Sequence, residues 1–93
     1  MYNIIHKADN ASSVLAKNVA AELRKLGIKN FISKEYHESD LTIAVGDDKF
    51  ILRTFRGIGK RQTPLLAISS GQSFLAQANA LNFGHYLSLI KKN

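Results

Sequence analysis

The sequence predicts a small three-layer α/β sandwich on a mainly parallel, four-stranded sheet. Three observations carry this reading. Strand-like and helix-like segments alternate along the whole chain. Residues 41–45 and 65–68 are nearly continuous apolar runs, as expected of central strands buried on both faces. Each run ends in a polar, glycine-containing turn, Gly46-Asp47-Asp48 and Ser69-Ser70-Gly71. Right-handed crossovers between such strands place helices on both faces of the sheet.

The elements follow in order. Tyr2-Asn3-Ile4-Ile5-His6 reads as a short strand rich in β formers. Residues 7–10 form a polar turn. A helix is predicted from about residue 11 to 26, with Asn10 or Ser12 as its cap. Val14, Leu15, Val19, Leu23 and Leu26 recur on one helical stripe. Gly27 follows, where a left-handed residue closes a helix. Ile28-Lys29-Asn30-Phe31-Ile32 reads as a second strand, and Tyr36-His37-Glu38-Ser39 as a loop.

The central run of residues 41–45 comes next. Residues 49 to about 58 have helical periodicity. Ile51, Leu52, Phe55 and Ile58 fall on one side, and Lys49, Arg53, Arg56 and Lys60 on the other. Gly57, Gly59 and Pro64 break the chain before the strand at residues 65–68. Residues 74–92 read as mostly helical, with Leu75, Leu81, Tyr86, Leu87, Leu89 and Ile90 as apolar positions. Asn82 is a possible cap there and Gly84 a local weakness.

At 93 residues the chain has room for one domain, against the usual 100–150 or so per domain. There is no cysteine, which excludes disulfides, thiolate metal sites and cysteine nucleophiles. No apolar run approaches the ~18–20 residues that span a bilayer. Met1-Tyr2-Asn3 lacks the basic start of a secretory signal, so the cytoplasm is the expected compartment and no membrane partner is expected. Charge is unevenly placed. All 7 Asp and Glu lie in residues 1–48, whereas residues 49–93 carry 7 Lys and Arg and no acid. A carboxylate-free half points to an anionic partner, such as a nucleotide phosphate, nucleic acid or an acidic protein surface.

In parallel sheets, ligands bind at the carboxyl ends of the strands. Gly46-Asp47-Asp48 and Ser69-Ser70-Gly71 occupy such ends. Asp47 or Asp48 there serves as a helix N-cap, or as a carboxylate that takes a proton or meets Mg²⁺. Gly57-Ile58-Gly59-Lys60 follows a helix rather than a strand and leads into Lys60-Arg61, so it is a basic connection and not a phosphate loop. His6, His37 and His85 have no ligand spacing, and no metal site is expected. No serine lies in a G-x-S-x-G elbow.

Two stretches resemble a known family. The run from Asp40 through Val45, Gly46-Asp47-Asp48 and Lys49 to Arg53 resembles the D-L-V-I-V-L-G-G-D-G-T-L-L-R of NAD kinases. Pro64-Leu65-Leu66-Ala67-Ile68-Ser69-Ser70-Gly71-Gln72-Ser73-Phe74-Leu75 resembles their P-V-L-G-I-N-x-G-x-L-G-F-L, one residue shorter. The opening strand, the polar turn and the long helix agree in order. The resemblance implies a Rossmann-like α/β nucleotide-binding domain over residues 1–93, without the all-β domain that follows it in the family. It also implies ATP, NAD and Mg²⁺ as ligands, and phosphorylation of NAD to NADP as the family reaction. Asp48 matches the aspartate assigned as base at the ribose 2′-hydroxyl, and Gly46 the first glycine. Asp47 and Lys49 replace the second and third glycines, Phe50 the threonine, Ser69 the asparagine and Ser73 a further glycine. A side chain at a former glycine obstructs close approach of a polyphosphate.

The implied site comprises Asp48 as remnant base, with Gly46, Asp47, Lys49, Arg53, Arg56, Ser69, Ser70 and Gly71 around the nucleotide. Because the motif is altered and the second domain lacking, weak or absent catalysis by the chain alone is expected. Two other classes fit the residues. One is a nucleic-acid-binding module using Lys49, Arg53, Arg56, Lys60 and Arg61. The other is a protein-interaction or homo-oligomeric domain that covers apolar surface.

Overall fold

The computed structural model describes residues 1–59 and 64–92. The element order is β1 (Tyr2–His6), α1 (Asn10–Lys25), β2 (Asn30–Ser33), β3 (Leu41–Gly46), α2 (Asp48–Ile58), β4 (Leu65–Ser69), β5 (Ala78–Asn79) and α3 (Phe83–Lys92). The strands form one sheet in the order β2-β1-β3-β4-β5, and every pairing is parallel. The expected α/β sandwich is therefore present, with β3 and β4 adjacent and in register from Thr42↔Leu65 to Gly46↔Ser69. The sheet has five strands rather than four. The added strand, two residues long, lies in the segment expected to be helical.

Alternation along the strands sorts their side chains onto two faces. On one face Ile4, Ile43, Val45 and Ile68 meet Leu15, Val19 and Leu23 of α1 and Leu87 of α3. Each such fully buried aliphatic side chain contributes about 1.5–3 kcal/mol. On the other face Ile5, Ala44 and Ala67 meet Phe50 and Ile51 of α2. The small Ala44 and Ala67 let the Phe50 ring lie close to the sheet. The connection between β2 and β3 crosses β1 on this second face, where Tyr36 packs into the cluster. Asn3, fully buried in β1, fastens that connection. Its amide donates to Ser33 Oγ (2.8 Å), and its carbonyl accepts from the His37 N–H (3.0 Å).

Several local expectations are corrected. Asp9, not Asn10 or Ser12, caps α1. Its backbone is extended, and its carboxylate accepts from the Ser12 N–H at 2.7 Å. Val14 is exposed, and Ala16 and Ala20 share the buried stripe in its place. Gly27 does adopt the left-handed conformation (φ 76°). Gly57 lies inside α2, and the break comes at Gly59, with φ 61°. The buried face of α2 is Phe50, Ile51 and Ile58, while Leu52 and Phe55 are exposed.

The largest correction concerns residues 74–92, where only Phe83–Lys92 is helical. The preceding segment is held to the sheet instead. Gln77 places its side-chain carbonyl on the Ala67 N–H (2.8 Å) and its own N–H on the Ala67 carbonyl (3.1 Å), which leads the chain into β5. Asn82 Oδ1 accepts from the Asn79 N–H (2.7 Å), closing a turn ahead of α3 rather than capping the helix's own amides. Among the described residues, no helix is long and apolar enough to cross a membrane.

Candidate functional site

The strand order reverses between β1 and β3. From β1 the chain crosses through α1 to β2 on one side, and from β3 through α2 to β4 on the other. A crevice at the carboxyl ends of these neighbours is where open α/β sheets bind ligands. Three turns meet there and are laced together. The Lys7 N–H donates to the Val45 carbonyl (2.9 Å), and the Ser70 N–H to the Gly46 carbonyl (3.2 Å). Ser12 Oγ, at the start of α1, donates to Ser70 Oγ (3.3 Å).

Gly46 ends β3 because of packing. A Cβ on it would lie 2.9 Å from Phe50 Cδ2, 3.1 Å from Phe50 Cβ and 3.1 Å from Lys7 Cβ. Asp47 caps α2: its carboxylate accepts from the Phe50 N–H (2.9 Å) and also from Lys7 Nζ (2.8 Å). The Lys7 contact, and then the Phe50 N–H, hold the Asp47 carboxyl below its usual range, while Asp47 raises Lys7 in turn. The pair is about half exposed, so it is worth little in stability alone. Beside it, Lys7, Asp47, Lys49, Phe50 and Arg53 line a hollow of about 240 Å³. Its three cations outnumber its single carboxylate.

Asp48 points the other way, toward the loop after β4. Its carboxylate accepts from the hydroxyl of Ser73, from the Phe74 N–H (3.0 Å) and from the Leu75 N–H (3.3 Å). The Ser73 bond first, then the Phe74 amide, hold this carboxyl below its usual value. Ser69 is buried and serves its own turn, with its hydroxyl donating to the Gly71 carbonyl and accepting the Gly71 N–H (3.0 Å). Next to this turn Ser69, Gly71, Gln72, Ser73, Gln77 and Asn79 help to line a larger pocket of about 550 Å³, flanked by the exposed Phe74 and Leu81.

The fold thus brings Gly46, Asp47, Asp48, Ser69, Ser70 and Gly71 together at the carboxyl ends of β3 and β4, with Lys49 and Arg53 on the helix that follows. Arg56 lies in the last turn of α2 and is not among the residues that line the Lys7 hollow. Lys60 and Arg61, of the same basic stripe, lie outside the described residues. Sequence reasoning gave Lys7 and Asp9 no site role and named Ser12 only as a helix cap. The polar turn after the first strand was a signal, but its importance depends on β1 lying next to β3, which spacing does not reveal. Ser73 was visible only as a replaced glycine.

Among the described residues, no group of three or more His, Asp or Glu is placed to hold a metal ion. Both oxygens of Asp47 and of Asp48 already accept hydrogen bonds.

Neither the protein-family models nor the curated proteins contain a match to this chain. Among solved structures, the fold is similar to that of an NAD kinase from Archaeoglobus fulgidus, determined in complex with ATP. The TM-score is 0.76 at 25% sequence identity, covering 94% of this chain and 35% of the kinase. The present chain therefore spans about a third of that enzyme's length.

Proposed function

We propose that this chain is a nucleotide-binding domain of the NAD kinase type, which takes ATP or NAD at the β1/β3 crevice and does not transfer phosphate by itself. The observation that carries the reading is the meeting of the turn at Gly46 with the turn at Ser70, in a fold similar to that of a kinase bound to ATP. Lys49 and Arg53 supply charge for phosphate oxygens, and Lys7 adds a third cation once it is shared between Asp47 and the ligand. Arg56, one turn beyond Arg53, does not line that hollow and is left outside the proposed site. Mg²⁺ would arrive on the nucleotide's own phosphates, since the carboxylates of the site are engaged.

The reading of no transfer is supported by the surroundings of Asp48. A general base needs a free lone pair within about 2.6–3.2 Å of the hydroxyl, and a pKa near the working pH. Three of the roughly four lone-pair sites of Asp48 are taken by Ser73, Phe74 and Leu75, and its basicity is lowered by them. The test is differential scanning fluorimetry with ATP, NAD and NADP, alongside an assay for NADP formation. Ligand at about 100 times its Kd stabilises a protein by ~2.7 kcal/mol, which for a chain of this size raises Tm by roughly 10 °C or more. A saturable shift with ATP or NAD and no NADP formation is the expected result. No shift with any nucleotide at millimolar concentration would overturn the binding claim, and robust NADP formation the claim of inactivity.

A further inference from the structure

A second surface, on the flank of α2, is not used by the nucleotide site proposed above, although Lys49 borders both. Leu52, Phe55 and Ile58 of α2 face Leu65 of β4 and Leu75 of the following loop across a groove of about 430 Å³. Phe55 is 62% exposed, Leu75 49% and Leu52 40%. Large apolar side chains grouped this way mark interaction sites. A basic ridge adjoins the groove. Arg56 follows Leu52 by one turn and Lys49 precedes it by three residues, so both lie beside Leu52 on the helix surface.

We propose that this groove docks an acidic amphipathic helix of a partner protein, with its apolar side chains between Leu52, Phe55 and Leu75 and its carboxylates over Lys49 and Arg56. Charge complementarity selects this occupant. Residues 49–93 carry no acid at all, so two copies meeting through this face would oppose like charge to like. A nucleic-acid backbone would satisfy the ridge but leave the apolar groove uncovered. An amphipathic helix satisfies both at once, and the 11-residue α2, roughly 16 Å long, matches about three turns of such a partner.

The experiment uses a fluorescent synthetic helix about twelve residues long, with Leu at helical spacing and Glu elsewhere, and a twin in which every Glu is Lys. Fluorescence anisotropy should show the acidic helix binding at least about tenfold more tightly than the twin. Phe55→Asp should weaken the acidic helix by about tenfold or more, as loss of an aromatic anchor does, and Arg56→Glu should weaken it less. Leu52→Gln repeats the test should Phe55→Asp fail to fold by circular dichroism. Equal binding of the two peptides, or binding indifferent to these groove variants, overturns the proposal. So does self-association in sedimentation that the same variants abolish, or single-stranded DNA binding more tightly than the acidic helix.

Discussion

The carboxylate of Asp48, in the first turn of α2, accepts a hydrogen bond from the hydroxyl of Ser73, 25 residues further along the chain. The same hydroxyl accepts the N–H groups of Leu75 (3.1 Å) and Ala76 (2.9 Å). Ser73 therefore folds its own turn and ties that turn to α2. Asp48 thus acts as a strut for the loop that walls the larger pocket. The tie exists because residue 73 carries a hydroxyl that can both donate and accept.

Ser73→Ala tests the tie. The turn loses its side-chain acceptor and Asp48 its first donor, so the Asp48 carboxyl should titrate closer to its usual value, as read by carboxyl-detected NMR. Two lost turn hydrogen bonds should cost about 1–2 kcal/mol in urea unfolding. An unchanged Asp48 titration would show that Ser73 does not hold it.

Stability should depend on pH at both extremes. Asp9 is lowered by the Ser12 N–H and hydroxyl, Asp47 by Lys7 and the Phe50 N–H, and Asp48 by Ser73 and the Phe74 N–H. A carboxyl depressed in the folded state contributes stability above its unfolded value, here near 3.8, and loses it as pH falls through the folded value. Lys7 is raised by Asp47, so its contribution is full below about 10.5 and is lost as pH rises past its folded value. The urea midpoint should therefore be flat between roughly pH 5 and 9 and fall on either side. Lys7→Met should remove the Lys7 part of the alkaline fall and part of the acid one.

Gly46→Ala should destabilise the chain without reference to any ligand. The new methyl would meet the Phe50 ring at 2.9 Å and Lys7 Cβ at 3.1 Å, and neither atom is the free end of a flexible chain. Overpacking of this kind costs about 1–3 kcal/mol. Phe50→Val opens the same space, so the double variant should lose less than the two single losses combined. Thermal unfolding of the four proteins measures this coupling.

The central architecture was legible in the sequence because the strongest signals are local. The runs Leu41-Thr42-Ile43-Ala44-Val45 and Leu65-Leu66-Ala67-Ile68 are apolar enough to announce buried strands, and Gly27 announces the end of α1. The Gly46 and Ser69 turns were placed correctly for the same reason: they follow those runs. What was not legible depends on distant partners. Gln77 departs from a helical pattern because Ala67 offers a strand edge. Phe55 shares a helical stripe with Ile51 and Ile58, yet the sheet face beneath α2 takes up Phe50 and Ile51 and leaves Phe55 at the rim of the groove. Asp48 looked available because Ser73 gave no sign of approaching it.

Thr42 is fully buried in β3, and its hydroxyl has no hydrogen-bond partner among the described residues. An unsatisfied buried hydroxyl costs about 1–3 kcal/mol, and Val has nearly the same shape. Thr42→Val should therefore raise stability by about 1 kcal/mol, or several degrees in Tm. A loss of similar size in calorimetry would mean that the hydroxyl is satisfied after all.

The two arginines of α2 should separate by function. Arg53 lines the hollow with Lys7 and Lys49, and its guanidinium also sits 5.8 Å from the centre of the Phe50 ring. Arg56 lies at the other end of the helix, beside the apolar groove. Arg53→Glu should weaken ATP binding strongly, since it removes a cation and places a carboxylate where the phosphates would lie. Losing one charge-assisted contact is worth about 1.5–3 kcal/mol, or roughly ten- to a hundredfold in Kd. Arg56→Glu should leave ATP affinity within about twofold and act on the acidic helix instead. Both side chains are exposed, so each reversal should move stability by only ~0.5 kcal/mol. Isothermal titration of ATP into the two variants decides the matter: equal losses would mean that the whole stripe attracts phosphate diffusely, with no site at the crevice.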